Sequence, residues 1–232
     1  MQVFHLDKFR TVSYNQQRGY NILSERRTLM KTVIYIHGKG GTPDEAEVYA
    51  PLFAGCDVVG MDYSAVTPWQ AAEEFPELFC ELCSGSEEVI LIANSIGAFF
   101  AMHSLSDRQI KRAFFISPVA DMEKLIINMM NFAGVTESEL HQHGEIVTGF
   151  GETLSWEYLC YVRENPINWD IPTDILCGGK DTLISTDTFR AFADRTGASL
   201  TIMPEGEHWF HTPEQMKFLK NWLKDRTGRY FA

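Results

Sequence analysis

Three side chains in this sequence have types and surroundings that suit nucleophilic chemistry. Ser95 lies in Ala93-Asn94-Ser95-Ile96-Gly97, Asp181 follows Gly178-Gly179-Lys180, and His208 follows Glu205-Gly206-Glu207. A hydroxyl is a weak nucleophile at neutral pH, so a serine that attacks a carbonyl needs an imidazole to take its proton and a carboxylate to orient that imidazole. The small-x-Ser-x-Gly string marks a sharp strand-to-helix turn that lifts the hydroxyl above a sheet. The flanking positions must be small because strand and helix nearly touch there. Gly97 meets that demand fully, and Ala93 adds one methyl group where glycine is usual. A fourth feature, His37-Gly38-Lys39-Gly40-Gly41, is a loop able to turn backbone N–H groups toward an anion. It is not a phosphate loop, because Gly40 stands where Ser or Thr must follow the lysine. It is not a dinucleotide fingerprint, because Pro43 occupies the third glycine position.

These residues need a frame that brings them together. Short apolar, β-branched runs begin near Thr32, Asp57, Glu88, Arg112, Asp174 and Ser199, and read as strands buried on both faces. Their spacing is that of βαβ units, which predicts a mostly parallel sheet with right-handed helical crossovers and helices on both faces, an α/β fold. The His37 loop, Ser95, Asp181 and His208 each follow a strand directly. All four therefore fall at the carboxyl edge of the sheet, where open α/β sheets place their sites. The interval from Arg112 to Asp174 is about twice the others and holds three helical runs, so residues 121–168 read as a helical insertion. Thr212-Pro213-Glu214-Gln215 predicts a capping box opening the last helix. Residues 1–30 alternate loosely and suggest an antiparallel hairpin at one sheet edge. With no repeats or linkers, residues 1–232 are expected to form one domain.

The chain has 232 residues with a formal charge of −11 and 45% hydrophobic residues, enough for a real core. That acidity weighs against nucleic acid or an anionic membrane as partner. The first ten residues do not read as a secretion signal, and no apolar window is long enough to span a bilayer. Five cysteines, an odd number, fit a reducing cytoplasm, and Cys80 and Cys83 read as ordinary buried thiols. Asp121 also follows a strand and competes with Asp181 as the acid; the glycine-rich approach to Asp181 and its position to cap the following helix favour Asp181. His103 reads as structural and His211 as a surface or capping residue. His141 and His143 lack the ligand set a metal requires, so neither metal nor cofactor is expected.

On the elbow, the His-Gly loop and the order Ser95, Asp181, His208, the chain resembles the α/β-hydrolase superfamily over about residues 32–222. The resemblance implies an α/β-hydrolase fold with the long insertion as a lid. It implies hydrolysis of a carboxylic ester through an acyl-enzyme, with the N–H groups of Ile96 and Lys39 holding the oxyanion. It also covers peptidases, thioesterases and acyltransferases, and a ligand-sensing receptor is a further alternative. Gly38, Met129, Trp156 and Tyr161 are candidates to contact a small-molecule substrate of medium acyl or aromatic type. Oligomeric state and acyl length are not legible.

Overall fold

The computed structural model describes residues 31–228; the expected hairpin within residues 1–30 lies outside them. Six strands form one parallel sheet: β1 (Lys31–Ile36), β2 (Cys56–Gly60), β3 (Glu88–Asn94), β4 (Arg112–Ile116), β7 (Thr173–Gly178) and β8 (Ser199–Met203). Their order is β2-β1-β3-β4-β7-β8. These are the six apolar runs of the sequence, and every neighbouring pair is parallel. The central strands β1, β3, β4 and β7 are buried almost throughout because helices cover both faces.

One face packs against α1 (Pro68–Leu82), α2 (Ser95–Ser104) and α6 (Thr186–Thr196), through Phe75, Phe79, Phe100, Phe189 and Phe192. The other is covered by α7 (Pro213–Thr227) and by short 3₁₀ turns over residues 43–52, through Leu219, Trp222, Leu223, Tyr49 and Phe53. At the amino edge the nearly buried Asp174 carboxylate is held by Arg112 and by Arg226 at 3.3 Å. An isolated charge there would be costly.

The excursion between β4 and β7 contains α3 (Met122–Ala133), α4 (Glu137–His143) and α5 (Trp156–Glu164), matching the three helical runs. It is not wholly helical, which corrects the expectation. A two-stranded antiparallel hairpin, β5 (Glu145–Val147) with β6 (Thr153–Ser155), separates α4 from α5. Three-residue strands are too short to show alternation. They are held by Thr148, whose hydroxyl donates to Glu152 O at 2.7 Å and accepts from Glu152 N at 3.1 Å. Arg163 then ties α5 to α3 and α4, contacting Glu123 at 2.6 Å and gripping both Glu137 oxygens.

Two capping expectations need correction. Thr212 does cap α7 by accepting from Gln215 N, but the reciprocal half of the box is missing, because the Gln215 side chain accepts from His211 N instead. The α6 N-cap is Ser185, not Asp181. Cys80 is exposed rather than buried.

Candidate active site

β3 ends at Asn94 in extended conformation, and the chain turns at Ser95 with φ of 49° before entering α2. A non-glycine residue in that region costs about 1–3 kcal/mol and persists only where its surroundings enforce it. The enforcement here is tight. Val119 N–H donates to Ser95 O at 3.0 Å, and a Cβ added to Gly97 would lie 2.2 Å from His37 O. Position 97 must therefore be glycine for α2 and the His37 loop to approach as they do.

The other residues arrive from two loops on the far side of β4. Asp181 follows β7 and His208 follows β8, and the backbones of their loops interlock. Gly179 N–H donates to Met203 O at 2.7 Å and Lys180 N–H to Gly206 O at 2.8 Å. The Asp181 side chain is fully buried. Its Oδ1 accepts from Leu183 N at 2.8 Å and Ile184 N at 2.9 Å, and its Oδ2 faces His208 Nδ1 at 2.7 Å. An ionised carboxylate only accepts, so Nδ1 must carry the proton. That leaves Nε2 with a lone pair, 2.9 Å from Ser95 Oγ. Three residues distant in sequence form one hydrogen-bonded line from carboxylate through imidazole to hydroxyl. Asp121 is elsewhere: it caps α3 by accepting from Lys124 N at 2.9 Å.

The His37 loop lies against the elbow, with Gly38 so close that an added Cβ would sit 3.2 Å from Ser95 Cβ. Its turn closes through Gly41 N–H to Gly38 O at 3.1 Å, with Gly40 at φ of 76°. A positive φ at the third position is what a type II turn requires, and it leaves the Lys39 amide outside the turn's own hydrogen bond. Ile96 is the second residue of α2, and an amide so placed has no intrahelical acceptor. The Lys39 ammonium reaches across to the β5–β6 turn and contacts both Glu152 oxygens, at 2.7 and 2.6 Å.

The candidate substrate contacts fare differently. Gly38 adjoins Ser95. Trp156 is partly buried with its ring centroid 4.8 Å from that of His141, and Met129 packs partly buried against the core. The Tyr161 hydroxyl meets His103 Nε2 at 2.8 Å. His103 is eight residues beyond Ser95, so Tyr161 stands about 12 Å along the helix axis at 1.5 Å per residue. Burial holds the His103 pKa below its ordinary value. Among the described residues, no group of three or more His, Cys, Asp or Glu is arranged to hold a metal, and no helix is long and apolar enough to cross a membrane.

Solved structures share this arrangement of elements. Alpha/beta hydrolase domain-containing protein 10 from mouse matches 86% of this chain and 90% of its own with a TM-score of 0.67 at 17% identity. Est1E from Butyrivibrio proteoclasticus matches 90% and 91% with a TM-score of 0.68 at 15% identity. An esterase from Pyrococcus furiosus matches 86% and 81% with a TM-score of 0.52 at 21% identity. The chain has the α/β-hydrolase fold. No protein-family model and no curated protein matches the sequence.

Within this α/β-hydrolase fold, sequence reasoning missed Tyr63 and Glu152. The Tyr63 hydroxyl donates to His37 O at 2.8 Å and its ring stacks on the His37 ring at 4.3 Å, so it supports the loop from below. Its place three residues after β2, at the carboxyl edge, was the available signal. Glu152 carried none, since its partner is 113 residues away.

Proposed function

We propose that the protein is a serine hydrolase that cleaves carboxylic esters through an acyl-enzyme formed on Ser95. The observation that carries this reading is the continuous line from Asp181 Oδ2 to His208 Nδ1 and from His208 Nε2 to Ser95 Oγ, at 2.7 and 2.9 Å.

In this mechanism Ser95 Oγ bonds to the substrate carbonyl carbon while His208 Nε2 takes the hydroxyl proton. The carbonyl electron pair moves onto oxygen, and the N–H groups of Ile96 and Lys39 hold the resulting oxyanion. Asp181 keeps the imidazole in the tautomer that accepts at Nε2 and stabilises the imidazolium. Collapse of the tetrahedral intermediate expels the alcohol, which leaves with the proton from His208. A water then gives its proton to His208 and attacks the acyl carbon. Collapse releases the carboxylic acid, and the returning proton restores Ser95.

An ester is the natural substrate for such a site because its leaving group needs less protonation than an amine. The segment between β4 and β7 acts as the lid, fastened over the His37 loop by Lys39 and Glu152. Its aromatic side chains, Trp156 among them, suit a medium or aromatic acyl group. Est1E has been solved with ferulic acid bound, which accords with an aromatic acid. The test is rapid-mixing kinetics on p-nitrophenyl esters of graded acyl length. An acyl-enzyme whose hydrolysis is the slower step releases a burst of one p-nitrophenolate per protein. The same burst from Ser95→Ala would overturn the assignment.

A further inference from the structure

The oxyanion donors come from two separate segments, Lys39 on the loop after β1 and Ile96 at the start of α2. Their spacing must hold to a fraction of an ångström, and on the α2 side of the sheet the contacts of Gly97 with His37 O and of Gly38 with Ser95 join the two segments by close packing alone. On the opposite face of the sheet lies a polar group that the reaction does not otherwise use. Tyr35, the penultimate residue of β1, is fully buried, and its hydroxyl donates to the carboxylate of Glu45. Phenylalanine would fill this place without the desolvation cost of a hydroxyl and a carboxylate, so the polar pair needs a reason.

The strand register supplies it. Tyr35 pairs with Ile92 on β3, so the two project to the same face. Asn94 is two residues further along β3 and therefore projects to that face as well, one rung nearer the carboxyl edge. Its side-chain amide lies beside the Tyr35 hydroxyl, on the side where it can act as a donor. Burial, with Tyr49 and Glu45 adjacent, pushes Tyr35 ionisation well up, so the hydroxyl keeps its proton. That single proton goes to Glu45, which leaves the oxygen free to accept from its neighbours, the Asn94 amide among them. The chain of donors runs one way, from Asn94 through Tyr35 to Glu45.

Its two ends are the two sides of the oxyanion site. Asn94 immediately precedes Ser95 and Ile96. Glu45 lies against the end of the His37 loop: a Cβ on Gly41 would come within 3.0 Å of its Oε1, and its own N–H donates to Thr42 O at 3.2 Å. We propose that Glu45, Tyr35 and Asn94 form a buried brace that sets the distance between the Lys39 and Ile96 amides, with all three as positioning residues. This rests on the ester-hydrolase reading, since it assigns those amides a transition-state role.

A brace of this kind acts on the tetrahedral intermediate and not on the resting substrate. Tyr35→Phe keeps the ring and removes the link. Misplacing one oxyanion donor by about 1 Å costs on the order of a hundredfold in rate. We expect kcat on p-nitrophenyl butyrate to fall by about ten- to a hundredfold with KM within about threefold of wild type. Inhibition by an aliphatic trifluoromethyl ketone, which Ser95 converts to a tetrahedral adduct, should weaken by the same factor. Glu45→Ala should behave likewise, and Glu45→Gln, whose amide oxygen still accepts the Tyr35 proton, should lose at least tenfold less than Glu45→Ala. If Tyr35→Phe does not fold, the Glu45 pair decides alone. A lowered Tm with unchanged kcat and unchanged ketone affinity would overturn the brace and reduce it to packing. A wild-type protein that neither turns over the ester nor binds the ketone would remove the hydrolase assignment first, and the brace with it.

Discussion

Gly178 and Gly206 meet so closely that a Cβ on Gly178 would lie 2.2 Å from Gly206 O. This contact locks the loop after β7, which carries Asp181, to the loop after β8, which carries His208. Two residues of the proposed triad are thus set by backbone packing before their side chains meet. Gly178→Ala must push the loops apart. It should lower kcat by about a hundredfold or more, the cost of an ångström-scale misplacement, and lower Tm as an overpacked core does. Steady-state kinetics and thermal unfolding together check this.

Asp181 and Asp121 are separated by their partners. Asp181→Asn should lower kcat by about 10⁴, because an amide in that place imposes the wrong imidazole tautomer. Asp121→Asn should leave kcat unaltered and Tm nearly so, since Asn caps a helix about as well as Asp. Equal losses at the two positions in the same ester assay would contradict the assignment.

The ion pair between Lys39 and Glu152 is exposed on both sides, so it contributes at most about 1 kcal/mol. As the proposed lid fastening, it should still be felt in kinetics. Glu152→Gln should change kcat/KM for a bulky ester by no more than about fivefold, the rate equivalent of that energy. Raising salt to about 0.5 M should shift the wild type toward the variant and leave the variant unmoved, because screening removes only what the mutation has already removed. A salt response of equal size in both would separate this pair from the lid.

His103 offers a pH test. Burial lowers its folded-state pKa, so the unfolded chain binds its proton more readily. The stability contributed by neutral His103 is present above the unfolded value of about 6.5 and is lost as pH falls below it. Thermal unfolding at pH 7.5 and 5.5 should show a smaller drop in Tm for His103→Gln than for wild type. An equal drop would place the acid sensitivity elsewhere.

Much of the frame was legible because parallel, doubly covered strands write themselves as continuous apolar runs, and all six were visible. Their order was not, since pairing β4 with β7 joins residues some sixty positions apart. Ser95, Asp181 and His208 could be nominated because each directly follows a strand, a local signal. The β5–β6 hairpin was illegible because three-residue strands show no period and depend on Thr148. Tyr35 read simply as a strand residue, since its value lies in partners that only the register and the 43–48 turn supply. Asp181 looked like a helix cap because an Asx turn and an N-cap use the same short acceptor chemistry. Its oxygen accepts from residues two and three positions on, while Ser185 caps α6.

The most direct test is reaction with a fluorophosphonate, which loses fluoride as it phosphonylates a serine whose hydroxyl is activated by a base. Wild-type protein should be labelled rapidly, with the adduct found by peptide mass spectrometry on Ser95 alone. Folded Ser95→Ala should take up no label and lose essentially all p-nitrophenyl ester hydrolysis above the residual given by binding and the oxyanion site. Labelling at another residue, or wild-type turnover by folded Ser95→Ala, would contradict the account.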